Sequence, residues 1–220
     1  MHNRDLPLEK FPALDSPHYR YGFVGRVPGI EVSHDKAEAL SQLDNVHRSV
    51  RQSLALNQSV FVTAEQVHGN CVAVINAPLA SDQCFAGCDA LITNQRDVTL
   101  GVYVADCCAV YVVDPVRACI GLVHSGKKGT ELGIVSRAIA ELSAHFGSNP
   151  SDLIVQLSPC IRPPHYEVDF AAEIVRQSHA SGIKDIYDCG ICTACDLQRY
   201  YSYRAEKGRT GRMLALLALQ

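Results

Sequence analysis

Apolar positions along the chain switch repeatedly between helical and strand period, and each switch marks an element. Over residues 36–56, Ala39, Leu40, Leu43, Val46, Val50 and Leu54 recur at steps of three and four, which predicts an amphipathic helix. Residues 60–63, 71–75, 90–93, 99–104, 109–113 and 118–123 are short apolar runs that predict strands. Several are nearly continuous rather than alternating, the pattern of strands covered on both faces. Past His124 the helical period returns: Leu132, Val135, Ala138, Ile139, Leu142 and Phe146 form one stripe over 130–146, with Gly147 as the stop. Residues 152–157 read as a strand, and 169–181 as a helix with Asp169 as N-cap. Residues 197–204 read as a short helix capped by Asp196, and 213–219 as a closing apolar strand. A strand at 21–24 and an irregular, proline-punctuated lead-in over 1–19 complete the pattern. Strands followed by mixed helices and strands predict an α+β or mixed α/β fold, with helices outside one or two sheets. No repeat or Gly/Ser-rich linker divides residues 1–220, so one domain is expected.

Composition narrows the function classes. The net charge of −3 disfavours a general nucleic-acid binder. No apolar run approaches the roughly 20 residues that cross a bilayer, and the first residues lack a signal-peptide core, so the cytoplasm is the expected location. There the ten cysteines should be reduced, with roles in metal binding, nucleophilic chemistry or packing.

Three segments at the ends of strand-like runs carry the chemistry: Gln66-Val67-His68-Gly69, Ala105-Asp106-Cys107-Cys108 and Val123-His124-Ser125-Gly126. Brought together, His68, Cys107 and His124 would offer two imidazoles and a thiolate to a borderline-soft metal, with a fourth position open for catalysis. Taken singly, His68 reads equally as a strand-end histidine bonded to backbone, and Cys107 as a small buried hydrophobe. Cys108 points to the opposite face and reads as packing. Asp106 beside Cys107 needs a partner if buried, and is a candidate orienter or proton carrier. After His124, the strand–loop–helix order with Lys127 and Lys128 suggests an anion subsite, against the alternative of a solvated basic turn. The run Cys189-x-x-Cys192-x-x-Cys195 has metal-binding spacing but no fourth ligand nearby, so a packing or local redox role is favoured. Arg204, Arg209 and Arg212 gather arginines near the C-terminus, suited to planar or phosphate-bearing ligands.

The order of these motifs resembles the YfiH family, also called the laccase-domain or multicopper polyphenol oxidase family. The resemblance rests on Gln66-Val67-His68-Gly69, Asp89-Ala90-Leu91-Ile92-Thr93, Ala105-Asp106-Cys107, His124-Ser125-Gly126, Pro159-Cys160-Ile161, Tyr166-Glu167-Val168, Cys192-Thr193, Tyr201-Ser202-Tyr203-Arg204 and Thr210-Gly211-Arg212-Met213, and spans about residues 21–219. It implies a single α+β domain, an α-β-β-α sandwich with mixed sheets layered between helices. It implies zinc, or copper, on His68, Cys107 and His124. It also implies purine nucleoside phosphorolysis of adenosine, inosine or methylthioadenosine, with adenosine deamination as a further activity. Catalytic roles then fall to Cys107, His68, His124 and Asp106, and substrate or phosphate contacts to Arg26, Gln66, Lys127, Lys128 and Arg204. The expected partners are a purine nucleoside and phosphate, with the oligomeric state open.

Two positions depart from the family's usual pattern. Lys127-Lys128 stand where it has Trp-Arg, and Ala205 where it often has a second Arg. A point-charge lysine still holds phosphate, while an aromatic surface is lost. Two alternatives use the same residues. One is a Cys-His hydrolase or amidase acting on a peptidoglycan precursor; the other is a weakly active metal-binding relative. The chain has no His-x-His pair, so laccase chemistry is not expected.

Overall fold

A computed structural model describes residues 7–220. Twelve strands and four α-helices are present among them. In chain order they are β1 (Leu8–Glu9), β2 (Tyr19–Val24), α1 (Lys36–Ser53), β3 (Val60–Ala64), β4 (Val72–Ile75), β5 (Gln83–Phe85), β6 (Ala90–Thr93), β7 (Val98–Val104) and β8 (Cys108–Asp114). There follow β9 (Cys119–Ser125), α2 (Lys127–Glu131), α3 (Ile134–Phe146), β10 (Ile154–Leu157), α4 (Phe170–Ala180), β11 (Asp185–Asp188) and β12 (Met213–Leu219).

The strands form two mixed six-stranded sheets, ordered β1-β2-β12-β7-β3-β5 and β11-β10-β8-β9-β6-β4. Their continuous apolar runs are explained by burial on both faces. In β12, Met213, Ala215, Leu217 and Leu219 join the inter-sheet core with Tyr111 and Val113 of β8 and Ile120 and Leu122 of β9. The alternate residues Leu214, Leu216 and Ala218 face outward onto Val50 of α1. In β8 the same two-residue period sends Cys108, Val110 and Val112 to the other side, against Val135, Ala138 and Leu142 of α3 and Phe170 and Ile174 of α4. The layers are therefore helix, sheet, sheet, helices. The buried Tyr111 hydroxyl spans the sheet interface and donates to the Gly22 carbonyl at 2.9 Å.

The expected α+β sandwich is observed, with local corrections. Helix α1 begins where its Asp35 cap accepts from Glu38 N at 2.8 Å, and α4 where Asp169 accepts from Ala172 N at 3.0 Å. The single helix expected over 130–146 is two, because Gly133 takes a left-handed φ of 71° and breaks the axis between α2 and α3. Residues 197–204 are turns, not helix: Asp196 caps only the amides of Gln198 and Arg199, and the chain then runs through the fully buried Tyr200, Tyr201 and Ser202. The lead-in is partly structured by β1 and a 3₁₀ turn at Pro12–Leu14; its residues 1–6 lie outside the described part. Strands β5 and β11 carry mostly polar, exposed or half-exposed residues, so their sequences show no apolar run. No helix among the described residues is long and apolar enough to cross a membrane.

Candidate metal centre and its pocket

Among the described residues the chain passes between the two sheets six times, and the shortest crossover, residues 105–107, carries it from the end of β7 in one sheet to the start of β8 in the other. Cys107 sits on this crossover. β8 pairs with β9 so that Ala109 lies opposite His124, which puts the Cys107 and His124 side chains at the same edge. His68 arrives on the turn after β3. The ligand atoms of His68, Cys107 and His124 all lie within 4.8 Å of one another. Cys107 Sγ is 3.9 Å from His68 Nε2, and the two imidazole rings meet edge to face at 4.9 Å.

Backbone conformation is forced at this point. Gln66, His68 and Asp106 all have positive φ, at 66°, 62° and 83°, and together make up half of the non-glycine residues so placed among the described residues. Left-handed residues other than glycine cost energy and concentrate at sites where the surroundings over-determine them. Gly126 is required for space: a Cβ there would lie 2.5 Å from Cys107 Sγ.

The residue that organises the centre is Asp89, fully buried at the start of β6. Its Oδ1 meets His124 Nδ1 at 2.8 Å and accepts from His68 N at 2.9 Å, while Oδ2 accepts from Gly69 N at 2.7 Å. One carboxylate thus sets the ring of one histidine and the backbone of the other, leaving His124 Nε2 free for a ligand role. Burial alone would raise the Asp89 pKa, but its bonds to His124, Gly69 and His68 hold it below the usual carboxylate value. Burial likewise raises the Cys107 thiol, yet His124 charge and the hydrogen bonds of His124 and His68 outweigh it and bring the pKa down to about 6. His124 responds in the opposite sense: burial lowers it, but Cys107 and Asp89 raise it to about 9. Both shifts run in the direction that favours a thiolate–imidazolium pair when no metal is bound.

A cavity of about 630 Å³ opens over the three donors. Four cations line it, Lys36, Lys127, Arg204 and Arg212, against one carboxylate, Asp106. Tyr103, Tyr166, Phe170 and Tyr203 give it aromatic walls.

The other residues singled out in the sequence divide clearly. Lys127 and Arg204 line the cavity; Arg204 lies over the Tyr166 ring at 4.8 Å. Lys128, the next residue on α2, is exposed and does not line it. Arg26 does not line it either: its guanidinium is committed to Glu206 at 2.6 Å and to the Tyr201 ring at 4.3 Å. Gln66 reaches the cavity wall, but its amide pairs at both ends with the Tyr103 backbone, donating to its carbonyl and accepting from its N–H. Asp106 has both oxygens occupied, by Thr193 Oγ1 at 2.8 Å and Arg204 N at 2.7 Å, so it shapes the crossover rather than orienting a histidine. Arg212, read in the sequence among the arginines suited to phosphate-bearing ligands, lines the cavity, whereas Asp89 and Lys36 had no assigned role in the sequence. An aspartate directly preceding the apolar run 90–93 was the signal for Asp89; nothing local marks Lys36.

The family described as multi-copper polyphenol oxidoreductase laccase matches residues 29–179 and 168–220. Among curated relatives, purine nucleoside phosphorylase ORF3 of Streptomyces griseus is 29% identical over 92% of this chain and 94% of its own. Purine nucleoside phosphorylase Cgl2154/cg2365 of Corynebacterium glutamicum is 31% identical over 76% of this chain and 77% of its own. The crystal structure of YlmD from Geobacillus stearothermophilus superposes with a TM-score of 0.83 at 24% identity, covering 96% of this chain and 94% of that one. Bacillus licheniformis YfiH superposes at 0.81 with 22% identity, covering 97% and 99%. With the sandwich, the motif order and a match over most of its length in agreement, the chain belongs to the multi-copper polyphenol oxidoreductase laccase family, that of YfiH.

Proposed function

We propose that the protein is a metal-dependent purine nucleoside phosphorylase. The observation that carries this is the union in one cavity of a three-donor metal cradle, a cluster of cations and aromatic walls. Two imidazoles and a thiolate of depressed pKa suit zinc, with copper as the alternative for the same donors. The Cβ-free space at Gly126 keeps the sulfur in place, and Asp89 keeps His124 in the tautomer that presents Nε2. When bound, the metal supplies Lewis acidity beside the reacting groups.

The chain's own residues do the remainder. Lys127 and Arg212, with Lys36 behind them, neutralise phosphate; Tyr166, Phe170 and Tyr203 stack and enclose the purine; Arg204 closes the rim over Tyr166. A phosphate oxygen bonds to the ribose C1′ while the C1′–N9 bond breaks, and its electron pair leaves on the purine, which is then protonated. Adenosine, inosine and methylthioadenosine are the substrates of this reading. Adenosine deamination is a further activity of the same cavity, with water adding at C6 and ammonia leaving.

The test is base release from those nucleosides with and without phosphate, by metal-free and zinc-loaded protein. Phosphate-dependent release restored by zinc is the expected result; no base or ammonia from any of them removes the proposal. One observation supports a second reading: Asp89, His124 and Cys107 also form the acid–base–thiolate order of a cysteine hydrolase. A hydrolase would keep its activity in chelator and lose it to alkylation.

A further inference from the structure

The cysteine run 189–195 plays no part in the cavity, and its spacing lacks a fourth ligand. The fold supplies a ligand from elsewhere. His165 Nδ1 lies 3.8 Å from Cys192 Sγ and 3.6 Å from Cys195 Sγ, and the three donor atoms all lie within 4.8 Å of one another. A tetrahedral zinc with bonds of about 2.3 Å to sulfur and about 2.05 Å to nitrogen spaces N from S by about 3.6 Å. The observed separations are close to those edges, so an ion fits with small side-chain adjustments. Cys189 is outside the cluster; it packs against the inter-sheet core, and burial pushes its thiol up to about 11.

The cluster is organised before any ion arrives. Cys192 and Cys195 are one 3₁₀ turn apart, with Cys195 N donating to Cys192 O at 3.2 Å. His165 sits on a turn closed by its own N–H to Arg162 O at 2.9 Å. The two loops are tied together by Cys160 N to Ile191 O and Thr193 N to Cys160 O, both 3.2 Å, and Arg162 forks onto Asp188 while donating to Ile191 O. His165 and Cys195 are exposed and Cys192 is half-buried, which leaves a solvent-side fourth position.

We propose that His165, Cys192 and Cys195 form a second metal site, separate from the centre at Cys107, that takes a thiophilic divalent cation such as zinc. Paired thiolates with one imidazole select zinc over calcium or magnesium. The site is a brace. Thr193, adjacent to Cys192, holds Asp106 of the crossover, and Tyr166, adjacent to His165, lines the cavity. An ion joining their neighbours stiffens that wall. The inference is independent of the reaction proposed above.

The test titrates untagged protein, stripped with chelator and reduced with a phosphine, with cobalt(II) alone and with zinc(II) alone. Wild type should bind two equivalents. Cys107→Ser should keep one, with a cobalt–thiolate absorption of two-sulfur intensity and a melting temperature raised by zinc. His165→Gln and Cys195→Ser, both at exposed positions that leave folding intact, should keep only the equivalent at Cys107. The combined Cys107→Ser, Cys195→Ser protein should bind none. The proposal is overturned if reduced Cys107→Ser takes up no metal, or if its uptake survives Cys195→Ser. Loss of the Cys107 equivalent alone would strike the other centre and leave this one standing.

Discussion

Replacing Asp89 by asparagine isolates the role of one buried carboxylate with almost no change in shape. Asp89 accepts three hydrogen bonds from the two histidine segments: His124 Nδ1, His68 N and Gly69 N. An asparagine oxygen in place of Oδ1 keeps two of them, but the amide NH₂ then faces the Gly69 N–H, donor against donor. A buried donor left unpaired costs about 1–3 kcal/mol, and exchanging a charged acceptor for a neutral one weakens each remaining bond by about 1 kcal/mol. The metal-free protein should therefore lose about 3–5 kcal/mol, read by urea denaturation. Zinc affinity should fall by about 10- to 100-fold, the usual effect of removing a ligand's outer partner. Competition with a chromophoric chelator measures it. Loss of folding stability alone would describe a structural residue. The reasoning requires in addition that the Cys107 pKa rise, because the His124 charge that lowers it loses its partner. Unchanged zinc affinity and an unchanged Cys107 alkylation profile in a folded Asp89→Asn protein would refute it.

Four further outcomes are expected. In the metal-free protein, alkylation of Cys107 should follow a thiolate with an inflection at about 6, and zinc should protect it; an inflection near that of a free thiol would contradict the ion pair. His47 is 2% exposed with neither ring nitrogen paired, and burial lowers its pKa to about 4. Its neutral form is fully stabilising above the unfolded value of 6.5, so stability should fall with pH from there to about 4, by on the order of 3 kcal/mol. His47→Leu should flatten that part of the denaturation–pH curve, and an unaltered slope would assign it to other groups. Gly126→Ala drives a Cβ to 2.5 Å from Cys107 Sγ, so the sulfur must rotate away; zinc affinity should drop at least tenfold while the circular dichroism stays native. Lys127→Ala should raise the KM for phosphate severalfold and Lys128→Ala should not, since only Lys127 lines the cavity; equal effects would move the phosphate elsewhere.

Local pattern determined α1, α3, α4 and the buried strands of this chain, because burial on one stripe or on both faces is written in the spacing of Leu, Val and Ile. The continuous run of β12 announced a strand covered twice, and the structure covers it with α1 and the second sheet. The caps Asp35 and Asp169 are where N-terminal chemistry places them, the second at the position read from the sequence. Strands β5 and β11 were illegible because most of their side chains stay near solvent, with Phe85 and Ile186 alone packing against the cores, so no apolar run marks them. His68, Cys107 and His124, the donors of the candidate metal centre, stood out in the sequence because each falls at the end of an apolar, strand-like run. Their partners did not. Asp89 meets His124 across paired strands β6 and β9, Lys36 enters the cavity from the start of α1, and His165 reaches Cys192 and Cys195 across two tied loops. Arg26 and Gln66 were turned to structural bonds by neighbours just as remote, Glu206 and Tyr103. Sequence spacing encodes what a residue meets within a turn or a pleat; which side chains share a cavity is decided by how the two sheets stack and where the chain crosses between them.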